Sequence, residues 1–163
     1  MANSWNDGLR VGVAQVDADH QLLFQLMADL GSAHSEKEEA VVVGSVLNTL
    51  VSYTHYHFDR EERIMGLCGF PLLEPHRELH RQLRDRVVAV SRDYQVSPGD
   101  VDMQGLASFL ADWLVTHIQG EDVKIKPYVL ANLDKLGTED DSIVGDMDEI
   151  ERDAMNEDWQ WPV

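Results

Sequence analysis

Side chains that can bind metal ions recur at helical spacing in four separate segments of the chain. His57 and Glu61 are four residues apart, and so are His76 and His80. Positions i and i+4 project from the same face of a helix, so each pair can direct two donor atoms at one small volume. Two further segments each add a histidine, and a carboxylate closely follows the second. The candidate ligands are His20, His57, Glu61, His76, His80, His117 and Asp122.

The donor types in this set indicate transition metals, and their number indicates two ions. Imidazole suits iron, copper, zinc and nickel, whereas magnesium and calcium take mostly oxygen ligands. Five imidazoles exceed what one four-coordinate zinc uses. Glu61 and Asp122 each carry two oxygens and can hold one ion with each. When both carboxylates are shared, five imidazoles leave one ion a ligand short, and an open metal position is where a small molecule binds.

Each fragment of this pattern has a plainer explanation when it is taken alone. A single histidine on an apolar helix face is more often a hydrogen-bonded core residue, and a histidine pair at i,i+4 can be a coincidence on a surface. Matching fragments in four segments favour the metal site. Two histidines are left out of it: His34 belongs to a helix C-terminus, where a cation is favourable, and His55 lies off the face of His57.

Neighbouring motifs exclude several other kinds of site. The segment 76–80 has its glutamate at the wrong position for an H-E-x-x-H metalloprotease. The sequence contains no Glu-x-x-His repeat, no phosphate-binding loop and no G-x-S-x-G elbow. Cys68 is the only cysteine, so the chain can form neither an intrachain disulfide nor a thiolate metal cage.

Apolar residues with helical periodicity predict the elements that must position these side chains. Asp17 or Asp19 is expected to cap the first helix. Proline and glycine at Pro98-Gly99 end the third. The predicted segments are roughly 17–35, 37–66, 72–96 and 100–118, with one or two further helical turns within 128–136.

Strand alternation is nearly absent, and four amphipathic helices with short connections predict an all-α fold. The expected architecture is an antiparallel up-down-up-down four-helix bundle with an N-terminal arm and an acidic C-terminal extension. Residues 1–16 read as an extended arm, and residues 1–136 as the bundle domain. Residues 137–163 carry ten acidic side chains and one arginine, and are expected to be partly disordered or to form a short amphipathic helix.

The spacing of His117 and Asp122 is the weak point of this scheme. Five residues on an ideal helix turn through about 500°, which leaves the two side chains about 140° apart. Both can point inward only if the backbone widens, as in a π-bulge, or if the helix distorts near Gly120.

Charge and hydropathy restrict the partners and the setting. The formal net charge of −17 argues against nucleic acid and against an anionic membrane surface as partners. The N-terminus does not resemble a signal peptide, and the apolar runs are too short to cross a bilayer, which favours a cytoplasmic protein. The acidic tail is a candidate surface for a protein partner.

The ligand set and its surroundings resemble the hemerythrin family, and bacterial single-domain hemerythrins in particular. The resemblance covers about residues 5–130 and its motifs are highly specific. It rests on Trp5, on the stretch 16–20 ending in His20, on His57-Phe58 with Glu61-Glu62 and Met65, on His76 and His80, and on the stretch 113–118 with Asp122.

The resemblance implies a non-haem di-iron site with a bridging oxo or hydroxo group. One iron would take His76, His80 and His117, the other His20 and His57, and Glu61 and Asp122 would bridge them. The implied function is reversible dioxygen binding for storage, delivery or sensing, without enzymatic turnover beyond a weak redox side activity. The alternative is a di-iron redox enzyme on the same site, a peroxidase or a nitric-oxide-handling protein. If the tail binds a partner, dioxygen-responsive signalling is a third reading.

Dioxygen binding also requires a dry pocket, because water and protons promote oxidation of the iron. Six apolar residues lie within one helical turn of the candidate ligands and could form its wall. The plainer explanation is that they are ordinary bundle core. They are Leu23, Phe24, Phe58, Trp113, Leu114 and Ile118.

Overall fold

Helices account for all the regular secondary structure in the part of the chain that the structure describes. This computed structural model describes residues 5–35, 40–132 and 136, and no strand occurs among them. The α-helices are α1 (Ala14–Ser35), α2 (Ala40–Leu67), α3 (Leu73–Val96), α4 (Met103–Gly120) and the short α5 (Lys126–Leu130). Short 3-10 helices lie at Asp7–Leu9, Pro98–Asp100 and Asp122–Ile125.

The four long helices form an antiparallel up-down-up-down bundle, as predicted. α1 packs on α2 and on α4, and α2 packs on α3. The Tyr94 hydroxyl, late in α3, donates to the carbonyl of Ala40 at the start of α2, at 3.1 Å. The Tyr53 hydroxyl, in the middle of α2, donates to the carboxylate of Asp19 in α1, at 2.7 Å. Both bonds join helices that follow one another in the chain, and the first joins the end of α3 to the start of α2.

The predicted cap of the first helix is wrong, because α1 begins at Ala14, ahead of both aspartates. The Asp17 carboxylate instead accepts from the backbone N–H groups of Val11 at 2.8 Å and Gly12 at 3.3 Å. Gly12 has a φ of +89°, a conformation that glycine adopts without steric cost. The two bonds therefore fasten a sharp turn of the N-terminal arm onto the first turn of α1.

The N-terminal arm is shorter and less extended than predicted. Residues 14–16 belong to α1, and Asp7–Leu9 form a 3-10 turn. Leu9 and Val11 are each only 1% exposed, so their burial anchors the arm to the bundle. The Trp5 ring lies 6.3 Å from the ring of His20. The arm thus covers the start of α1.

The turn between α2 and α3 follows a recognised helix-ending pattern. The N–H of Phe70 donates to the carbonyl of Met65 at 2.9 Å, and that of Gly69 donates to Gly66 at 3.2 Å. Gly69 has a φ of +66°, which completes a Schellman motif. α3 then opens at Leu73, and Pro98 lies just beyond its end, close to the predicted bounds.

The fourth helix begins later than predicted. Pro98–Asp100 form a separate 3-10 turn, and the carboxylate of Asp102 caps α4 by accepting from the N–H of Gly105 at 2.8 Å. Pro127 lies in the first turn of α5, where a missing N–H costs nothing. The acidic tail predicted for residues 137–163 lies outside the described residues, as do residues 36–39 at the predicted start of α2.

The bundle has two chemically different ends. The apolar end, defined by Leu30, Val43, Leu47, Tyr94 and Met103, contains side chains that are at most 6% exposed. The polar end contains the seven candidate ligands, which are at most 5% exposed. None of the helices in the described part of the chain is long and apolar enough to span a bilayer.

Candidate metal centre

Four helices and the turn after α4 bring the seven candidate ligands together at the polar end. α1 carries His20, α2 carries His57 and Glu61, α3 carries His76 and His80, and α4 carries His117, while Asp122 opens the following 3-10 turn. Each helical pair follows the i,i+4 spacing, so both of its side chains enter the core. The two histidines that were left out do not join them. His55 is half-buried and outside the cluster, and the side chain of His34 is outside the described residues.

The larger group of donors contains three imidazoles and two carboxylates. One atom from each of Glu61, His76, His80, His117 and Asp122 lies within 4.8 Å of the others. Glu61 Oε2 is 3.3 Å from Nε2 of both His76 and His80. Nε2 of His117 is 3.0 Å from Asp122 Oδ1. The donor atoms thus converge on one small volume.

The smaller group contains the two remaining imidazoles and Glu61, which it shares with the larger group. Donor atoms of His20, His57 and Glu61 lie within 4.8 Å of one another. Asp122 Oδ2 is 3.4 Å from His20 Nε2, while its Oδ1 faces the larger group. Glu61 belongs to both groups, and Asp122 turns one oxygen toward each. The two groups therefore meet at the two carboxylates.

The hydrogen bonding of the cluster fits bound cations. His80 Nε2 and His117 Nε2 face each other at 3.0 Å. A neutral imidazole offers one donor and one acceptor, so at most one of these two nitrogens can donate a hydrogen bond to the other. Buried polar atoms without a hydrogen-bond partner are costly, and here they are concentrated in one place. Those in the cluster are both ring nitrogens of His20, His57 Nε2, His76 Nδ1, Glu61 Oε1 and both oxygens of Asp122. A satisfied core histidine, the plainer explanation, does not account for them.

The surroundings of the two carboxylates keep them ionised. Burial opposes ionisation of Glu61, but the bonds from His76 and His80 hold its pKa well below the ordinary value. Burial and the charge of Glu61 also oppose ionisation of Asp122, yet His117 and His20 lower its pKa to about 2. Two buried anions are thus present to neutralise metal ions.

The pKa shifts of the buried imidazoles differ in direction from one histidine to the next. Burial lowers the pKa of His57 and outweighs the nearby Asp19. For His80, burial acts in the same direction, but Glu61 and Glu62 raise the pKa above its ordinary value. His20 also has a raised pKa, because Asp122 outweighs the effect of burial.

The i+5 spacing of His117 and Asp122 is resolved by the end of the helix. α4 stays α-helical as far as Gly120 and then stops, and the 3-10 turn begins at Asp122. Glu121 retains an αR conformation, with its N–H donating to the His117 carbonyl at 2.7 Å. Of the two predicted solutions, distortion near Gly120 is therefore the one found, and a π-bulge is not.

Two of the six predicted pocket residues stack directly on imidazoles of the cluster. The Phe58 ring lies parallel to that of His80, with centroids 3.7 Å apart and an interplanar angle of 3°. Trp113 stacks on His117 at 4.3 Å and 15°. Leu23, Phe24, Leu114 and Ile118 are buried in the core. The structure thus places two of the six against the cluster and buries the other four, and the role of all six in a pocket stays a prediction.

Two carboxylates behind the cluster were not predicted from the sequence. Asp19 Oδ2 lies 3.5 Å from His57 Nδ1, and Glu62 Oε1 lies 2.9 Å from His80 Nδ1. Their positions next to candidate ligands in the sequence could have indicated them. Asp19 directly precedes His20 and Glu62 directly follows Glu61, so each is next to a candidate ligand along the chain.

Arg60 is a further buried residue that was missed. It is 9% exposed and donates to both oxygens of Asp19, at 3.0 and 3.1 Å. Its position one residue before Glu61 placed it near the ligand face, but a charged residue in that position is usually read as solvated. Its partner lies 41 residues away, where no local rule could find it.

Comparison with known proteins agrees with this geometry. The family model described as "Hemerythrin HHE cation binding domain" matches residues 11–129, a range that includes all seven candidate ligands. This chain belongs to the hemerythrin family. It is 30% identical to the bacteriohemerythrin of Stenotrophomonas maltophilia (strain R551-3) over 138 residues, which cover 85% of this chain and 88% of that relative.

Other members of the hemerythrin family show similar coverage. The chain is 31% identical to the bacteriohemerythrin of Pseudomonas aeruginosa (strain LESB58) over 120 residues, covering 72% of this chain and 75% of that one. It is 30% identical to the myohemerythrin of Riftia pachyptila over 122 residues, covering 75% and 89%. A crystal structure of a leucine-to-phenylalanine mutant superposes with a TM-score of 0.71 at 23% identity, covering 76% of this chain and 94% of that one, and supports the fold.

Proposed function

We propose that this hemerythrin-family protein holds two iron ions at the polar end and binds dioxygen reversibly there. The observation that carries the proposal is the sharing of the carboxylates. Glu61 belongs to both donor groups, and Asp122 turns one oxygen to each. An arrangement for a single ion would not need two acceptor oxygens of one carboxylate to face opposite ways.

The residues would divide unevenly between the two ions. His76, His80 and His117 would hold one ion and His20 and His57 the other, while Glu61 and Asp122 would hold both. The ion on the side of His20 would therefore have fewer protein ligands. When bound, the iron pair would supply the electrons and the open position that reversible dioxygen binding requires. Imidazole-rich donors suit iron, although they do not exclude other transition metals.

The protein's own contribution would be an apolar cover beside these positions. Phe58 and Trp113 cover the imidazoles of His80 and His117 by stacking on them. Leu114 and Ile118 are each 1% exposed on the adjacent helix α4. These apolar groups exclude water, which strengthens the electrostatic interactions inside and limits proton access.

The decisive experiment uses the full-length chain loaded anaerobically with iron(II) and then exposed to air. The expected result is about two irons per chain and a charge-transfer absorption band that disappears on degassing. Rapid irreversible oxidation, accompanied by turnover of peroxide or nitric oxide, would contradict dioxygen binding and support a redox enzyme.

Paired histidine variants provide the control for this experiment. His57→Ala removes a proposed ligand, so we expect loss of much of the iron and of the absorption band. His55→Ala removes a neighbouring histidine that lies outside both donor groups, so we expect the iron content to stay at the wild-type level. Equal iron content in the two variants would contradict the proposed ligand set.

A further inference from the structure

The imidazole of His57 is oriented by a carboxylate behind it. Its Nδ1 lies 3.5 Å from Asp19 Oδ2, and its Nε2 is buried without a hydrogen-bond partner among the donors of the smaller group. An ionised carboxylate only accepts hydrogen bonds, so the ring proton belongs on Nδ1. The lone pair of Nε2 then points into the cluster.

Asp19 is itself fixed by donors on α2. Its Oδ1 accepts from the Tyr53 hydroxyl at 2.7 Å and from Arg60 at 3.0 Å, and its Oδ2 accepts from Arg60 at 3.1 Å. The carboxylate is 2% exposed. The Arg60 guanidinium also lies 4.4 Å above the ring centroid of Tyr56. The opposite charge of Arg60 and the three donor contacts hold the Asp19 carboxylate in one place.

We propose that Asp19, held by Arg60 and Tyr53, is a positioning residue that fixes His57 in the tautomer able to bind a metal ion through Nε2. The identity of that ion as iron rests on the proposed function. The tautomer itself does not, because it follows from the contact between His57 Nδ1 and Asp19 Oδ2. Removing a carboxylate that hydrogen-bonds a metal-binding histidine typically weakens the metal affinity by about 10- to 100-fold.

Glu62 provides a matched comparison on the other side of the cluster. Its Oε1 accepts from both His80 Nδ1 at 2.9 Å and Arg84 at 2.8 Å. In Glu62→Gln, one amide oxygen at that position can still accept from both donors. The amide NH2 would face Arg77, whose side chain is 45% exposed and can move into solvent. The tautomer of His80 should therefore survive the substitution.

The contacts of Asp19 do not allow the same accommodation. Its two oxygens serve different donors, since Oδ1 accepts from Tyr53 and Oδ2 faces His57. In Asp19→Asn, the amide oxygen should occupy the position with the shorter bonds, next to Tyr53 and Arg60. The amide NH2 then faces His57 Nδ1 and Arg60. Arg60 can keep its bond to the amide oxygen, whereas His57 Nδ1 must act as acceptor, and the ring proton moves to Nε2. An Nε2 that carries a proton cannot bind a metal ion.

The first test is the tautomer of His57 in the metal-free, full-length protein, measured by nitrogen NMR of the labelled ring. The wild type and Glu62→Gln should carry the proton on Nδ1, and Asp19→Asn should carry it on Nε2. A second variant, Asp19→Leu/Arg60→Met, removes the buried pair together and should also lose the fixed Nδ1–H form, because no acceptor remains. Replacing both members avoids leaving an unpaired buried charge.

The second test is anaerobic titration with iron(II). Asp19→Asn should bind one of its two ions about 10- to 100-fold more weakly, while His55→Ala, which lies outside both donor groups, keeps both affinities near the wild-type values. The proposal is overturned if wild-type His57 carries its proton on Nε2. It is also overturned if both Asp19 variants keep the Nδ1–H form and wild-type affinities. A wild type that takes up no iron(II) would refute the proposed function, while the NMR result would still decide the role of Asp19.

Discussion

The two ends of the bundle are equally buried but differ in what stabilises them. At the apolar end, Leu30, Leu47 and Met103 are at most 1% exposed and pack among hydrocarbon groups. At the polar end, Glu61 and Asp122 are fully buried carboxylates surrounded by imidazoles. Burying apolar surface is favourable by itself, at about 25 cal/mol per Å². Burying charge is costly unless opposite charge compensates for it.

One fold can thus combine a core that is stable by itself with a core whose buried charge needs compensation. The apolar end should keep the helices together whether or not metal is present. The polar end has acceptor atoms without donors, and cations would remove that deficit. We therefore expect the two ends to respond differently to each of the following changes.

Metal removal should have the largest effect, and it should be greatest at the polar end. A ligand present at about a thousandfold above its Kd stabilises the folded state by about 4 kcal/mol, which a chelator would abolish. Denaturant unfolding with and without chelator measures the total. Hydrogen exchange should show amides near His20 and His57 losing more protection than amides near Leu30 and Leu47. Equal losses of protection at both ends would contradict the expected difference between the apolar end and the polar end.

A cavity at the apolar end should reduce stability without affecting metal binding. Leu47 is 1% exposed, so Leu47→Ala should lower the free energy of unfolding by about 3 kcal/mol. Because the candidate ligands lie at the other end, iron per chain should stay at the wild-type value. Calorimetry and metal analysis of the same sample check both parts. A loss of iron comparable to that in His57→Ala would show that the ends are coupled.

Much of the polar end could be predicted from the sequence, because its candidate ligands follow a local rule. The i,i+4 pairs His57/Glu61 and His76/His80 require only a helix to share a face. For His117 and Asp122 the sequence left two possibilities open, a π-bulge or a distortion of the helix near Gly120. The choice between them depends on where α4 stops, and an ideal helix pattern does not contain that information.

Other features depend on contacts between distant residues. Asp17 and Asp19 look like helix caps, but α1 begins before both because their carboxylates have other partners. Asp17 binds the backbone of the arm, and Asp19 binds Arg60, 41 residues away. Propensity rules weigh nearby residues, so such a competition between a cap and a distant ion pair becomes visible only in the fold.

Acid should destabilise the metal-free protein through the polar end. The folded pKa values of Glu61 and Asp122 lie below their unfolded values of about 4.3 and 3.9. Their stabilising contribution is thus complete above about pH 5 and is lost as the pH falls through the folded values, near 2 for Asp122. For Asp122 it is on the order of 2 kcal/mol. Urea unfolding between about pH 6 and pH 2 measures it.

A variant that removes one carboxylate sharpens this pH prediction. In metal-free Asp122→Asn the unfolding free energy should vary less with pH below about pH 5, because one titrating group is absent. Leu47→Ala should lower the whole curve and leave its pH dependence unchanged. Identical pH dependence in wild type and Asp122→Asn would contradict the lowered pKa of Asp122.

The smallest expected effect is a gain in helix stability that is independent of the metal. Gly66 is an exposed residue of α2, and a Cβ there would meet only Leu73 Cδ2, at 3.9 Å. Gly66→Ala should raise the free energy of unfolding by about 0.5 to 1 kcal/mol, through reduced flexibility of the unfolded chain. The gain should be the same with and without metal. A gain seen only in the metal-loaded form would indicate coupling to the polar end.

The most direct test of the account is the number of iron(II) ions that the full-length protein binds anaerobically, compared with His57→Ala and His117→Ala. We predict about two ions per chain in the wild type, with the ion held by His20 and His57 weakened in the first variant and the other ion in the second. A wild type that binds a single ion, or a single zinc in preference to iron, would contradict the central claim that the shared carboxylates serve two iron ions.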